Sequence, residues 1–415
     1  MEASDAAAHD GGRLTRPAML TIAIATVIYF LDGLIHSILG PLAPGIAHTL
    51  GLGVAELGPI FSANLAGQCV GLIAFPVLAE RAGHRRTVSL AVLGFGLMQA
   101  ASALAESGTS LLVLRLAAGV FLGGCLPSCL AIVTELAPPK RLGLVITTLF
   151  TGYGLGATMA GIVAAAFAGF GGWRAAMAAV GLVSIAAAVL AWFWLREPDR
   201  SSAAAPPSAR LAGLEILAPP HLFGTLMLWL LFVAMLTISY CLNSWLPIML
   251  VEVGRDEAYA ALSVSIFSLG GVIAALGVGL LIDRFGAMPV LIAFVVLAAA
   301  VLFAIGAAMA SAPEALLTPL LAAGGFFSLG AYGGVNVVLA RFYPDALRAA
   351  GIGWSKSVGR IGTVIAPVLI GYGLAAGLAG PTIMSLFALP ALVAALALLA
   401  LSLTPDWRAV RPKPT

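Results

Sequence analysis

Long apolar stretches alternate with short polar segments along almost the whole chain. Each stretch holds at least 20 mostly apolar residues, which is the length that an α-helix needs to cross a bilayer. The stretches lie at 18–43, 57–79, 87–106, 109–133, 144–168, 174–195, 222–250, 259–281, 288–310, 315–340, 350–375 and 381–403. We therefore predict an all-α membrane protein with twelve transmembrane helices.

A longer polar interruption divides these spans six and six. Residues 196–221 are rich in Pro, Ala and Ser, a composition typical of a flexible linker. The sequence thus predicts two six-helix bundles. The predicted segments are a polar N-terminal tail at 1–17, a first bundle at 18–195, the linker at 196–221, a second bundle at 222–403 and a C-terminal tail at 404–415.

Composition indicates that lipid is the main solvent of the chain. Hydrophobic residues make up 61% of the sequence and charged residues 9%, and the mean hydropathy is +1.07. A soluble domain needs more charge to cover its surface. At membrane depth there is no nucleophile–base pair, and the sequence contains no phosphate-binding loop of an ATPase. We expect neither an enzyme nor an ATP-driven pump, and no metal site or nucleic-acid partner.

The positive charges predict the orientation. If the N-terminus is cytoplasmic, sixteen of the 21 Lys and Arg residues fall on the cytoplasmic side, whereas only Arg174 and Arg255 fall outside. The remaining three, Arg115, Lys356 and Arg360, lie within spans. Cytoplasmic loops of membrane proteins carry such an excess of positive charge. We therefore place both termini in the cytoplasm of a bacterial-type cell, with the protein in its inner membrane.

The two halves of the chain also repeat. The segment LAERAGHRR (78–86) follows the second span, and LIDRFG (281–286) follows the eighth, so that Glu80 and Asp283 are 203 residues apart. Two parallel six-span repeats, related by a pseudo-two-fold axis, are the layout of many secondary transporters. An acid at the end of a span can meet a helix N-terminus and stabilise one gate state, although these charges can also be merely solvated. The residues assigned to gating are Glu80, Arg81, Gly83, Arg85, Arg86, Asp283, Arg284 and Gly286.

These motifs resemble those of the major facilitator superfamily. The loop LAERAGHRR is similar to the superfamily signature G-x-L-A-D-R-x-G-R-R, with Pro76, Glu80 and His84 as departures. The stretch RLAAGVFLGG, which begins at Arg115, resembles the R-x-x-x-G-x-x-x-G pattern of span four. That second resemblance implies a role for Arg115 in proton coupling, while its place near the outer end of span four leaves gating or an internal hydrogen bond open as alternatives.

Within the superfamily, the chain is most similar to the aromatic acid:proton symporters. The similarity rests on DGL in span one, GGCLPSCLAIVTELAP (123–138), YCLNSWLP (240–247) and RFYPDALRAAGIGWSKSVGRIG (341–362). It implies import of a small aromatic carboxylate, such as a hydroxybenzoate, by alternating access, driven by a proton gradient without a cofactor. Where the family usually has a second acid in span one, this chain has Ile35 followed by His36. This departure leaves the proton stoichiometry open.

Other substrates remain possible within the same fold. Carriers of sugar acids and of other carboxylates share much of the pattern, and a drug:proton antiporter is a further alternative. We expect a small organic anion and protons as the transported species, and a protein that works as a single chain in the lipid bilayer.

The deepest acid is Asp32, which follows about a dozen apolar residues of span one. A charged side chain at the centre of a bilayer costs about 2.5–3.5 kcal/mol on insertion scales, so such a residue is a functional candidate by default. Burial disfavours the ionised form and a nearby cation favours it. Asp32 is therefore the predicted proton carrier, with a permanent structural ion pair as the alternative. His36, one turn later, is a second proton site or a packing residue, and Glu135 near the cytoplasmic end of span four completes the proton-coupling set.

Intramembrane cations predict the charge of the substrate. Lys356 and Arg360 lie one turn apart in span eleven, and with Arg115 they outnumber the single deep acid. An excess of positive charge favours an anion, and the planar fork of Arg360 can hold a carboxylate through two hydrogen bonds. Other candidates for substrate contact, each of which could instead serve helix packing, are Tyr240, Asn243, Tyr332, Asn336 and Trp354.

Overall fold

A computed structural model of the chain describes residues 9–10, 13–138, 141–197, 215–219 and 221–404. Most of these residues are helical. The helices are α1 (Arg16–Leu50), α2 (Val54–Ala82), α3 (His84–Ser102), α4 (Gly108–Leu136), α5 (Leu142–Ala168), α6 (Gly172–Trp194), α7 (Leu222–Glu252), α8 (Glu257–Phe285), α9 (Ala287–Ala308), α10 (Glu314–Phe342), α11 (Asp345–Ala375), α12 (Gly380–Leu386) and α13 (Ala388–Ser402). Within the predicted N-terminal tail, two short strands, β1 (His9–Asp10) and β2 (Arg13–Leu14), pair antiparallel.

Every predicted span corresponds to a helix, with two departures. In the described part of the chain, eleven helical stretches are long and apolar enough to cross a membrane. The exception is α3, because it begins on His84, Arg85 and Arg86 and contains Gln99. The last span is interrupted at Phe387, which separates α12 from α13. The fold prediction of an all-α, twelve-helix, two-bundle protein is confirmed, and the third helix begins three residues before its predicted apolar stretch, on His84, Arg85 and Arg86.

The chain divides into two compact units. One contains Met1–Ala204 with Glu257–Ser265, and the other contains Ala205–Asp256 with Ile266–Thr415. In the first unit the main helix pairs are α1–α5, α2–α4 and α3–α6. In the second unit they include α7–α11, α9–α10 and α7–α13. The pairs α1–α5 and α7–α11 occupy the same positions in the order of the two halves, so the sequence repeat is also a repeat of helix packing.

Small residues allow the closest of these contacts. A Cβ atom added at Gly67 of α2 would overlap the Leu116 carbonyl of α4, and one added at Gly119 would overlap the Asn64 carbonyl. Gly325 of α10 contacts α8 in the same way. Glycines let helix backbones approach closely enough for van der Waals packing to hold them together in lipid. The glycine that follows Arg115 by four residues therefore serves packing between α2 and α4.

The turns of the two repeats share one backbone conformation. Gly83 has φ 90° and ψ 154°, and Gly286, which is 203 residues later, has φ 88° and ψ 154°. A residue with a Cβ atom is strained in this backbone conformation, whereas glycine adopts it freely. Glu197, just after α6, accepts hydrogen bonds from the backbone N–H groups of His84 (2.7 Å) and Arg85 (2.9 Å), and so neutralises the positive N-terminus of α3.

Replacing Gly83 with alanine should destabilise the first unit. The alanine would have to adopt the positive φ of Gly83, and its Cβ would lie 2.5 Å from a carboxylate oxygen of Glu197. We expect a loss of about 1–3 kcal/mol, measured as a lower midpoint of thermal unfolding of the purified protein. Gly143→Ala is the matched control, because nothing lies within 4 Å of its added Cβ and its φ is ordinary. Equal unfolding midpoints for Gly83→Ala and Gly143→Ala would contradict the strain argument.

Arg174 and Arg255, the two arginines that the predicted topology places in outside loops, each cap the end of a helix. Arg174 donates to the carbonyl of Ala103 at the end of α3 (2.6 Å). Arg255 donates to the carbonyls of Met309 (2.9 Å) and Ala312 (2.5 Å) at the end of α9. Cations near helix C-termini satisfy the last carbonyls and interact favourably with the helix dipole. These two exceptions to the charge bias therefore have a structural cause.

Both ends of the predicted linker are held by hydrogen bonds, whereas residues 198–214 and 220 lie outside the described residues. At the first end, Glu197 caps α3. At the second end, the carbonyl of Ile216 accepts a hydrogen bond from the hydroxyl of Thr225 (2.9 Å), which in turn accepts one from Tyr343 (3.0 Å). Burial raises the pKa of Tyr343, so its phenol stays neutral and can donate at pH 7.

Candidate functional site

Asp32 lies in a buried pocket of polar atoms in the first unit. Only 8% of the residue is exposed, and its carboxyl group is within electrostatic range of Tyr29 and Cys129. Tyr29 donates its phenolic hydrogen to the carbonyl of Leu126 on α4 (3.2 Å). On the other side, Gly33 contacts the carbonyl of Tyr153 on α5 without space for a side chain. Asp32 is thus held at a fixed position between α4 and α5.

His36 lies one turn further along α1 and bonds to α2. Its Nδ1 is 3.0 Å from the amide nitrogen of Gln68. An amide nitrogen only donates, so Nδ1 accepts and the neutral ring carries its hydrogen on Nε2. The ring centroids of His36 and Tyr153 are 6.2 Å apart. Protonation of Nδ1 would require the Gln68 amide to turn its oxygen toward the ring.

We call this group of residues the acid cluster. It joins two of the predicted proton-coupling residues to neighbours on α2, α4 and α5, and it consists of Tyr29, Asp32, His36, Gln68, Cys129 and Tyr153. Asp32 and His36 lie one turn apart on α1; Asp32 is near α4, whereas His36 contacts α2 and α5. Whether either residue carries a proton stays a prediction.

Arg115 lies elsewhere in the first unit. It is fully buried, and its guanidinium donates to the side-chain oxygens of Gln99 (2.7 Å) and Ser102 (2.8 Å) on α3. Cys125, which faces Asp32, is ten residues further along α4, or about 15 Å along the helix axis. The structure therefore does not place Arg115 in the acid cluster, although the sequence pattern groups it with proton coupling. Its contacts are those of a residue that joins α3 to α4.

Loss of the Gln99 side-chain amide should weaken this junction. In Gln99→Leu the buried guanidinium loses a charge-assisted hydrogen bond, which is worth about 1.5–3 kcal/mol. We expect a lower midpoint of thermal unfolding in detergent. Gln99→Glu keeps an acceptor of the same length and should retain the wild-type midpoint. Equal midpoints for all three proteins would show that the Arg115–Gln99 bond contributes nothing to stability.

Most of the remaining first-unit residues assigned to coupling or gating are exposed. Glu135, in the last turn of α4, is exposed, as are Glu80 and Arg81. The carboxylate that meets the α3 N-terminus is that of Glu197, not that of Glu80. Glu197 takes this position because the end of α6 returns to the start of α3 in the folded bundle, and a gating role for Glu80 stays a prediction. The other gating residues of this loop are buried Gly83, half-buried Arg85 and exposed Arg86.

The equivalent loop of the second unit has no such contact among the described residues. Asp283, Arg284 and Gly286 are all exposed. The guanidinium of Arg284 lies 5.3 Å from the ring centroid of Phe285, a cation–π contact within one turn. A gating role for either loop stays a prediction.

In the second unit, two tyrosines and two cations come together. Tyr332 of α10 is within electrostatic range of Tyr240 on α7 and of Arg360 on α11. Lys356, one turn before Arg360, is within range of that guanidinium. We call Tyr240, Tyr332, Lys356 and Arg360 the anion cluster. Helices α7, α10 and α11 thus bring four of the predicted substrate-binding residues together.

Two of the residues predicted to contact the substrate, Asn243 and Asn336, donate hydrogen bonds within their own helices. The Asn243 amide donates to the carbonyl of Ser239 in its own helix (2.7 Å), and Ser268 of α8 lies 3.5 Å from its oxygen. The Asn336 amide donates to the carbonyl of Tyr332 (3.1 Å). These hydrogen bonds pair the side-chain amides with the helix backbone. They are the contacts expected if both asparagines serve helix structure and packing, which is the alternative to substrate binding.

Trp354 lies on a different side of α11 from the anion cluster. It is six residues before Arg360, which places the two side chains about 120° apart around the helix. Its indole stacks on Trp229 of α7 with centroids 6.2 Å apart. Trp354 is 48% exposed, like Ile361 (54%) and Ile365 (51%) on the same side of the helix. The structure does not join Trp354 to the other predicted substrate contacts.

Sequence reasoning left out several residues that these sites use. They are Gln99, Ser102, Glu197 and Trp229. A glutamine inside an apolar span is itself a signal, since a polar side chain in lipid needs a partner. Nothing in the sequence indicated where the side chain of Glu197 would point.

Twelve membrane helices in two repeated bundles, with an internal acid in one and internal cations in the other, define a secondary transporter. The sequence profile of the Major Facilitator Superfamily matches residues 25–256 and 228–415. This chain therefore belongs to the Major Facilitator Superfamily. It is a multi-pass membrane transporter and not an enzyme.

Known relatives extend over almost the whole chain. The gallate transporter of Pseudomonas putida is 32% identical, covering 92% of this chain and 91% of its own length. The 4-hydroxybenzoate transporter PcaK of Pseudomonas putida is 30% identical, covering 85% of each chain. The crystal structure of a D-xylose–proton symporter has the same fold, with a TM-score of 0.78 at 16% identity over 92% of this chain and 97% of its own. The resemblance to aromatic acid transporters stated from the sequence is thus confirmed.

Proposed function

We propose that this protein imports a small aromatic carboxylate, such as a hydroxybenzoate, together with protons. The observation that carries the proposal is the near full-length similarity to transporters named for gallate and for 4-hydroxybenzoate. Both of these acids are small benzoates with phenolic hydroxyl groups. The anion cluster supplies groups that suit such a molecule, and the acid cluster supplies a buried carboxyl for the proton.

The anion cluster supports the choice of substrate. A guanidinium can bind a carboxylate through two parallel, charge-assisted hydrogen bonds, and Arg360 is half-buried, where such bonds are stronger than in water. The ammonium of Lys356 adds a second positive charge one turn away. The phenols of Tyr240 and Tyr332 can donate to or accept from ring hydroxyl groups of the substrate, and their rings offer flat apolar contact.

The acid cluster supports coupling to protons. Asp32 is buried inside the first unit, within electrostatic range of Tyr29 and Cys129, a position from which a carboxyl group could carry a proton. In the proposed cycle, Asp32 takes a proton from outside, the anion binds near Arg360, the protein changes its access, and both are released inside. This cycle needs the proton gradient and no cofactor. Asp32 lies about half way along α1, so either side of the membrane is a similar distance away.

Transport in proteoliposomes tests the proposal. The purified protein is reconstituted, an inward proton gradient is imposed, and uptake of labelled 4-hydroxybenzoate and gallate is followed with and without a protonophore. We expect accumulation that the protonophore abolishes. Competition with unlabelled benzoates, sugar acids and aliphatic acids should show that only the benzoates compete. Transport of a sugar acid alone would overturn the aromatic assignment, and protonophore-insensitive accumulation would overturn the coupling.

We further propose that the protein lies in a bacterial inner membrane with both termini in the cytoplasm. The support is the charge bias, together with the structural cause found for its two exceptions, Arg174 and Arg255. A green fluorescent protein fused after Thr404 should fluoresce, since it folds in the cytoplasm. Alkaline phosphatase fused at the same position should be inactive. The reverse result would invert the topology.

A further inference from the structure

A cavity opens at one end of the first unit, away from both clusters. Its volume is about 620 Å³, and it lies where α1 begins, α3 begins and α6 ends. All three of these helix ends lie on the side of the membrane that holds the N-terminus. The lining residues are Arg16, Pro17, Leu20, Thr21, Arg85, Phe193, Trp194, Leu195, Arg196 and Glu197.

The charged residues of this cavity favour an anion. Among the described residues that line it, three have guanidinium groups (Arg16, Arg85 and Arg196) and one, Glu197, has a carboxylate. The Glu197 carboxylate accepts two backbone hydrogen bonds from the N-terminus of α3, so the positive helix end already offsets much of its charge. Positive charge is therefore in excess. Guanidinium groups match the geometry of phosphate oxygens and bind them through paired hydrogen bonds.

The apolar residues of the cavity favour a ligand with hydrocarbon chains. Leu20 is 40% exposed, Phe193 is 70% exposed and Trp194 is 60% exposed. These side chains lie at the ends of membrane spans, where tryptophan is typical of the membrane–water interface. A free phosphate would contact the arginines and leave these surfaces uncovered. A phospholipid would place its phosphate on the arginines and its acyl chains on the apolar side chains.

We propose that this cavity binds the headgroup of an anionic phospholipid, of the phosphatidylglycerol type. Arg16 and Arg85 hold the phosphate, and Leu20, Phe193 and Trp194 contact the upper part of the acyl chains. Basic pockets between helices on the cytoplasmic side are known to hold anionic headgroups. The site is built from α1, α3 and α6, so a bound lipid would tie together three helices of one bundle. The inference does not depend on the transported substrate.

Fluorescence quenching by brominated lipid tests the site. The full-length protein is reconstituted in phosphatidylcholine, and brominated phosphatidylglycerol, phosphatidylcholine or phosphatidylethanolamine is added in turn. The chain has seven tryptophans, so the signal of Trp194 is taken as the difference between the wild type and Trp194→Phe. We expect quenching of Trp194 at lower amounts of phosphatidylglycerol than of either zwitterionic lipid.

Arginine variants give the expected magnitudes. Each basic residue near the membrane surface strengthens the binding of an anionic lipid. Loss of Arg16 or of Arg85 should therefore weaken binding of phosphatidylglycerol about fivefold, and loss of both should weaken it about 25-fold. If the double variant does not fold, the single variant Arg16→Gln is measured instead, with the expected fivefold weakening. Arg341→Gln is the matched control, because Arg341 is an exposed arginine at the end of α10 that does not line the cavity. It should bind phosphatidylglycerol like the wild type.

The outcomes separate a lipid from a soluble anion. Preference for phosphatidylglycerol that is lost in Arg16→Gln and kept in Arg341→Gln supports the proposal. Equal quenching by all three lipids, or equal loss in both arginine variants, overturns it. Inorganic phosphate is added as a competitor, and displacement of the brominated lipid by millimolar phosphate would also overturn it, in favour of a site for a free anion.

Discussion

Asp32→Asn should abolish accumulation of the substrate while sparing its exchange across the membrane. Asparagine has the size of aspartic acid and can take the place of its protonated form among Tyr29, Cys129 and the other residues of the acid cluster. It can neither release nor take up a proton. The variant should therefore fold, bind the anion and change its access, but without a link between the anion and the proton gradient.

The expected effect is large. One proton carried with each anion allows the substrate to accumulate about tenfold for each unit of pH difference, since one unit is about 1.4 kcal/mol. With a difference of two units, the wild type should reach an inside-to-outside ratio of about 100. Asp32→Asn should stop at a ratio of about one. The measurement is steady-state uptake into proteoliposomes, with exchange of labelled for unlabelled substrate measured at equal pH on both sides.

A second carboxylate provides the control for Asp32→Asn. Glu314 lies exposed in the first turn of α10, and Glu314→Gln should accumulate substrate like the wild type. Normal accumulation by Asp32→Asn would show that the carboxyl group does not carry the proton, and His36 would then become the leading candidate. Loss of exchange as well as accumulation in a folded Asp32→Asn would instead assign the residue to substrate binding or to the change of access.

The second large effect is expected at Arg360. Replacing this arginine with glutamine removes the positive group that the proposed carboxylate would bind. Truncating one partner of a buried, hydrogen-bonded charge pair costs about 2–5 kcal/mol. The apparent KM for 4-hydroxybenzoate should therefore rise at least ~30-fold. The measurement is the concentration dependence of initial uptake rates, normalised to the amount of folded protein.

Three variants separate Arg360 from its neighbours. Arg360→Lys keeps the charge but loses the planar fork, so it should recover only part of the affinity. Lys356→Gln removes a charge one turn away from Arg360 and should raise KM by less than Arg360→Gln does. Arg341→Gln, which changes an exposed arginine at the end of α10, should leave KM unchanged. An unchanged KM in Arg360→Gln would place the carboxylate elsewhere.

Much of the fold follows from local features of the sequence. Spans of apolar residues predict helices in lipid because every backbone polar group must be bonded within its own segment there. The repeat of LAERAGHRR and LIDRFG predicts equivalent turns, and Gly83 and Gly286 do share one backbone conformation. The third span was predicted from its apolar residues, and its one polar interior glutamine, Gln99, is accommodated because Arg115 bonds to it.

The candidate sites were only partly predictable. A buried acid or cation is visible in a sequence because its cost in lipid makes it rare. Asp32, Lys356 and Arg360 were found in this way. Pairings between helices were not visible, since they depend on which faces pack together. For this reason the sequence left Arg115 between proton coupling, gating and an internal hydrogen bond, and only the structure shows its bonds to α3. Trp354 was grouped with Arg360 although it lies on another side of α11.

The sequence by itself determined the class of this protein: the number of helices, the two repeats, the resemblance to aromatic acid transporters and the charges set inside the membrane. These features are carried by composition, by periodicity and by short motifs, all of which are local along the chain. The tertiary structure alone decided that Gln68 bonds to His36, that Glu197 caps α3 and that Tyr240 meets Tyr332. Each of these contacts joins residues from different segments of the chain, and the packing of the helices determines them.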